Sequence, residues 1–166
     1  CIIVTGTAKD VKRLEVAKML GADYTINVSE EDPLERIMEI TGGIGVDVSL
    51  ECTSGAGTIP VLLGVEALKR KGGTILLQGE LAEFPNFPLG KATVKWITFK
   101  SARGHGYRSC ELALEQLASD RFPLDLVTTH TYPLEKADTA VRAVAGEISE
   151  DCLLYTSPSP RDLRKA

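Results

Sequence analysis

Apolar positions along the chain fall into short blocks whose period alternates between strand-like and helix-like. Residues 2–5 form a short β-branched run, the mark of a buried strand. Gly6 and Thr7 turn the chain, and Val11, Leu14, Ala17 and Leu20 then recur at helical spacing, with Asp10 placed as N-cap and Gly21 as stop. A second strand is predicted over 24–28. After it Pro33 suits the first turn of a helix whose stripe is Leu34, Ile37, Met38 and Thr41, ended by Gly42 and Gly43. Residues 46–52 predict a third strand, and 58–70 a helix carrying Val61, Leu62, Val65 and Leu68. Lys69, Arg70 and Lys71 crowd the end of that helix, where its dipole favours cations.

A fourth strand is predicted over 74–78. The Pro- and Phe-bearing stretch 80–92 is expected to be an ordered loop, and 94–102 a fifth strand on which Trp96 and Phe99 alternate. Further on, Cys110, Ala113, Leu114 and Leu117 share a helix face, 126–131 predicts a short strand, and Leu134, Ala137, Ala140, Val141 and Val144 mark a last helix. Strand and helix alternate, and the early strands lack clean period-two alternation, which predicts a mostly parallel sheet covered on both faces. Right-handed crossovers make this an α/β doubly wound, Rossmann-like fold. A methyltransferase-like sheet is the competing arrangement, favoured if the fifth and sixth strands pair antiparallel. Ligands on doubly wound sheets bind at the carboxyl ends of the strands. The positions of interest are therefore 5–7, 52–55, 78–81 and 101–104.

The 166 residues are 43% hydrophobic and 25% charged, a globular balance. A net charge of −4 gives no electrostatic support for a nucleic-acid partner. No apolar run approaches the ~18 residues of a membrane span, so no membrane partner is expected. Cys1, Cys52, Cys110 and Cys152 are scattered without a C-x-x-C, which argues against a zinc knuckle or disulfide scaffold and for a reduced, cytoplasmic setting. The chain also opens inside an apolar run, as if in mid-strand.

No complete G-x-G-x-x-G is present. Residues 55–60 carry Pro60 in the third glycine place and residues 104–109 carry Ser109, so both read as plain strand-to-helix turns. His105 and His130 have no carboxylate partner by sequence logic and are expected to be loop histidines. Cys52 has no paired histidine and is not expected to be a nucleophile.

The order of motifs is more specific than any one of them. Val-Thr-Gly-x5-Lys-Arg-Leu-Glu-x-Ala-Lys-x-Leu-Gly-Ala-Asp over 4–23 is followed by Gly-Ile-Gly-Val-Asp-Val-Ser-Leu-Glu-Cys-Thr-Ser-Gly over 43–55. Arg-Lys-Gly-Gly-Thr-Ile-Leu-Leu-Gln-Gly then fills 70–79. Over about residues 1–147 this series resembles the medium-chain dehydrogenase/reductase family, and within it the zinc-type alcohol and polyol dehydrogenases.

The resemblance implies a partial NAD(P)-binding domain over 1–148 that begins at the second strand of the fold. The glycine fingerprint is then expected upstream, as are the zinc ligands and proton relay of a separate catalytic domain, so no catalytic or metal residue is assigned here. It further implies that the second-strand end reads the adenosine ribose. No acid stands there; Thr5, Gly6, Thr7, Lys9 and Arg13 could receive a 2′-phosphate, which favours NADP while leaving NAD open. Lys9 and Arg13 could equally be a solvated helix face. Cys52 and Thr53 would line the nicotinamide and its ribose, and Gln78, Gly79 and Ser101 would approach the nicotinamide and its carboxamide. Arg103 either faces the cofactor or is a surface residue. The parent is expected to pass hydride between a small-molecule alcohol or polyol and NAD(P), with this chain alone inactive, and to form a homodimer or tetramer through the edge strand near 94–102. A zinc-free, quinone-reductase-like member and a non-catalytic nucleotide-binding module are the alternatives.

Residues 149–166 lack any helical or strand period and are expected to be a disordered tail. Within it, 152–162 resembles one reading frame of a transposon-type sequencing adapter, so read-through into foreign DNA is expected there.

Overall fold

The computed structural model describes residues 1–53, 55–79, 83–102, 104–145, 147–148 and the backbone of 155–156. In chain order the elements are β1 (Ile3–Gly6), α1 (Val11–Met19), β2 (Tyr24–Asn27), α2 (Pro33–Ile40), β3 (Val48–Glu51), α3 (Ile59–Ala67), β4 (Thr74–Leu77), α4 (Leu89–Val94), β5 (Thr98–Ser101), α5 (Tyr107–Ala118), β6 (His130–Thr131), α6 (Ala137–Val144) and β7 (Tyr155–Thr156). They fall into two compact units, Cys1–Glu30 with Arg108–Ala166, and Glu31–Tyr107.

In the first unit β1 and β2 pair in parallel with Ile3 opposite Tyr24 and Gly6 opposite Asn27. The α1 crossover between them buries Leu14 and Val16, and Ile26 of β2 is fully buried. Val11, expected on the same stripe as Leu14, is exposed. In α6 the small residues Ala140 and Ala143 are buried while Val141 and Val144 are not. Of the strand expected over 126–131, the first two residues end a 3-10 turn at Leu124–Val127 and only the last two are strand. His130 therefore lies on β6 and not in a loop. Tyr155–Thr156 pairs with β6, a short pairing that the tail's composition does not foretell; the rest of 149–166 lies outside the described residues.

In the second unit β3, β4 and β5 form a parallel sheet in that order. Asp32 caps α2 by accepting from the Glu35 amide at 2.9 Å, with Pro33 at the first helical position. Val65, Leu68 and Ile75 form the core, with Val46, Leu77, Phe87 and Ile97 packed around it. Fully burying side chains of this size contributes ~1.5–3 kcal/mol each. Gly64 lets α3 lie directly on the sheet, since a Cβ there would come within 2.6 Å of Ser49 Oγ. On the opposite side of β3, Val48 and Leu50 are exposed.

Two further expectations are corrected. Residues 80–92 and the start of the fifth strand contain α4, and β5 begins only at Thr98. Trp96 has φ 53 and is 65% exposed in the turn before β5. It therefore does not alternate with Phe99, which instead packs edge-on against Phe87 at 5.3 Å. The cation that serves the end of α3 is also a different one. Lys95 Nζ donates to the Val65 and Glu66 carbonyls at 2.8 Å each, a side-chain cap on the last turn. Lys69 pairs with Asp47 at 2.7 Å, and Lys71 lies 4.4 Å over the Trp96 ring.

The doubly wound order is 3-2-1-4-5-6. The pairs found here correspond to its 3-2 and 4-5-6 portions, with no counterpart of strand 1 among the described residues.

Candidate functional site: two strand-end clusters

Each unit gathers polar groups at the carboxyl ends of its parallel strands. In the first unit β1 ends on exposed Thr5, then Gly6 and exposed Thr7, before one 3-10 turn leads into α1. The Asp10 carboxylate folds back on this turn. It accepts from the Thr7 amide at 2.9 Å, the Thr7 hydroxyl at 2.7 Å and Arg13 Nη1 at 2.8 Å. Thr7 with Asp10 has the spacing of a capping box, a signal legible in the sequence that identifies Asp10 as a group of this turn. The N-cap role expected of Asp10 for α1 is not found, because its carboxylate is spent on Thr7 and Arg13. Partial burial pushes the Asp10 carboxyl up. The Thr7 hydrogen bonds and the Arg13 guanidinium outweigh that and hold it below the ordinary aspartate value. Lys9 is exposed on the same turn.

In the second unit the ends of β3, β4 and β5 align, with Glu51 opposite Leu77 and Leu77 opposite Ser101. Glu51 is the one buried charged side chain among the described residues, 4% exposed. Its carboxylate accepts from the Thr53 amide at 2.7 Å, from the Thr53 hydroxyl, and from the Gly79 amide at 3.1 Å. The Gly79 amide also reaches the Glu51 backbone carbonyl at 3.0 Å, and the Gln78 amide donates to the same carbonyl at 2.9 Å. Among the described residues Glu51 pairs with no cation. A Cβ on Gly79 would stand 2.3 Å from both Glu51 Oε2 and the Thr53 carbonyl oxygen, so only glycine fits beside the carboxylate.

Cys52, Thr53, Gln78 and Ser101 lie exposed around this cluster. Partial burial and the neighbouring Glu51 charge push the Cys52 thiol up, which keeps it protonated at neutral pH and unsuited to nucleophilic work. Arg103 lies outside the described residues. The clusters thus bring Thr5, Gly6, Thr7, Lys9 and Arg13 together in one unit and Cys52, Thr53, Gln78, Gly79 and Ser101 in the other. The carboxylates that organise them, Asp10 and Glu51, are not among the cofactor-binding residues singled out from sequence.

Exposed hydroxyls and amides at strand carboxyl ends, with a glycine at the closest approach, suit a nucleotide cofactor. Zinc does not fit these residues. Among the described residues no three His, Cys, Asp or Glu side chains cluster as metal ligands, and Cys1, Cys52 and Cys110 stand free and exposed. His105 is exposed, and His130 meets Thr129 at 2.9 Å and stacks on Tyr132. No described helix is long and apolar enough to cross a membrane.

Residues 1–119 match the family model described as zinc-binding dehydrogenase. The chain is 32% identical over 158 residues to mouse sorbitol dehydrogenase, covering 90% of this chain and 42% of that protein. It is similar in structure to an alcohol dehydrogenase from Thermotoga maritima, with TM-score 0.78 and 28% identity over 89% of this chain and 41% of that one. A short chain alcohol dehydrogenase from Escherichia coli CFT073, solved with NADH, shares the fold at TM-score 0.73 and 21% identity, covering 92% of this chain and 42% of that one. The chain thus spans less than half the length of these relatives.

Proposed function

The chain belongs to the zinc-binding dehydrogenase family, and we propose that it is the cofactor-binding part of an enzyme that transfers hydride between an alcohol or polyol and a nicotinamide dinucleotide. The observation that carries this is the pair of strand-end clusters, each at the carboxyl end of parallel strands, within a chain that matches the zinc-binding dehydrogenase family. The cofactor supplies the hydride chemistry; the protein binds and orients it. Thr5, Gly6, Thr7, Lys9 and Arg13 belong to the adenosine ribose end. Cys52, Thr53, Gln78, Gly79, Ser101 and Arg103 belong to the nicotinamide end.

The hydroxyl and cation at the ribose end first point to a 2′-phosphate and hence NADP. Asp10 weighs the other way. Its carboxylate already takes the Thr7 hydroxyl and an Arg13 nitrogen, and a like charge beside a phosphate is unfavourable. The same carboxylate is a natural acceptor for ribose hydroxyls, so NAD is the cofactor this geometry supports best. Zinc would be held by residues outside this chain. We further propose a reduced, cytoplasmic setting and self-association through β5, whose four residues are exposed and which pairs with β4 alone among the described strands. Upstream sequence is expected to carry G-x-G-x-x-G within about 25 residues of Cys1, as the motif's spacing requires.

The test is nicotinamide reduction by the full-length protein carrying this chain, offered a panel of alcohols and polyols with NAD or NADP. Substrate-dependent reduction is expected, absent from the 1–166 chain alone. A full-length protein that reduces neither cofactor with any alcohol or polyol would overturn the proposal.

A further inference from the structure

Glu51 is the anomaly of the second unit: an acid on a parallel strand, almost fully buried, with no cation paired to it among the described residues. Burying a charge is costly unless donors satisfy it, and here three donors do so from two separate loops. Two come from Thr53, just past β3; the third is the Gly79 amide, just past β4 and 28 residues away in sequence. The bare Cα of Gly79 provides the room, since a Cβ would overlap both carboxylate oxygens, at 2.3 and 2.7 Å. Strand pairing ties Leu77 to Glu51, and the Glu51 backbone carbonyl takes the Gln78 and Gly79 amides; the carboxylate adds the link that joins Gly79 to Thr53.

We infer that Glu51 is a positioning residue for the nicotinamide end of the cofactor, holding the Thr53 and Gly79 loops at a set spacing without touching the cofactor itself. This rests on the proposed dinucleotide site. The chemistry asks for a carboxylate specifically. A neutral amide of the same size would turn one acceptor into a donor, set against either the Thr53 or the Gly79 N–H. An aspartate keeps the charge and reaches Thr53, but it is one methylene too short to hold Gly79 as well.

The experiment compares NADH with ADP, which lacks the nicotinamide and its ribose, by calorimetric titration of the full-length protein carrying this chain. In Glu51→Gln the dissociation constant for NADH is expected to rise about tenfold, or ~1.4 kcal/mol, while that for ADP stays within twofold. Glu51→Asp is expected to shift NADH in the same direction by a smaller factor, and it tests the inference if the glutamine variant does not fold. Equal weakening of both ligands, as a merely structural role would give, overturns the inference, as does unchanged NADH binding in the variants. If the unsubstituted protein binds neither ligand, the dinucleotide reading itself falls.

Discussion

The two strand-end clusters use a carboxylate in opposite ways. Asp10 is partly exposed, pairs with Arg13 and bridges Thr7 to Arg13 within one turn. Glu51 is buried, faces only neutral donors among the described residues and joins two loops that sequence separates widely. Water and salt screen the first, so its influence is a local bias on what charge the turn accepts. The second is shut away from solvent, so its influence is mechanical. A carboxylate at a strand end thus tunes a ligand when exposed and holds a frame when buried.

Removing each carboxylate is the most direct way to break this contrast. Glu51→Ala takes the carboxylate away from the Thr53 amide and hydroxyl and from the Gly79 amide, and unfolding in denaturant is expected to show a loss of about 3 kcal/mol. Gly79→Ala attacks the same cluster from the other side. Its Cβ meets the Thr53 carbonyl oxygen as well as the carboxylate, and a loss of about 2 kcal/mol is expected, near the middle of the range for overpacking. Asp10→Asn is expected to cost less than about 1 kcal/mol, because its ion pair is exposed.

Acid and salt sharpen the contrast further. The Asp10 carboxyl is lower in the folded chain than its ordinary value near ~3.9. Its stabilisation is therefore fully present above about pH 4 and is lost as pH falls through the lowered value. The stability gap between the unsubstituted chain and Asp10→Asn should be level from neutral pH down to about pH 4, close below it, and shrink on adding salt. The Glu51→Ala gap should be insensitive to salt. The smallest expected effect concerns cofactor choice. Asp10→Asn should improve NADPH binding relative to NADH by a few-fold, roughly 1 kcal/mol at most for a surface charge. An unchanged ratio would separate Asp10 from the ribose site.

The alternation of strand and helix is legible because branched runs such as Ile2-Ile3-Val4 and Thr74-Ile75-Leu76-Leu77 end on small or polar residues. α4 is hidden for a local reason: only six residues long, it follows Pro85 and Pro88, and its apolar content mimics the start of a strand. Trp96 misleads in the same way, since a positive φ at an aromatic residue is set by the turn and not by propensity. At the sites, the exposed residues of the strand ends are legible from the rule that ligands gather there. Asp10 is half legible through its Thr-x-x-Asp spacing. Glu51 is not, because the pattern Val-Ser-Leu-Glu places it on an ordinary strand and its decisive partner, Gly79, comes from another strand. Contacts between strand ends are set by register, which no local period encodes.

Hydrogen–deuterium exchange of the full-length protein with and without NADH tests most directly whether both clusters take the cofactor. Protection is expected in peptides covering Thr5 to Arg13 and in those covering Cys52, Thr53, Gln78 and Gly79, with the remainder of α1 and α3 unchanged. NADH binding with protection confined to other segments, or to neither cluster, would contradict the account.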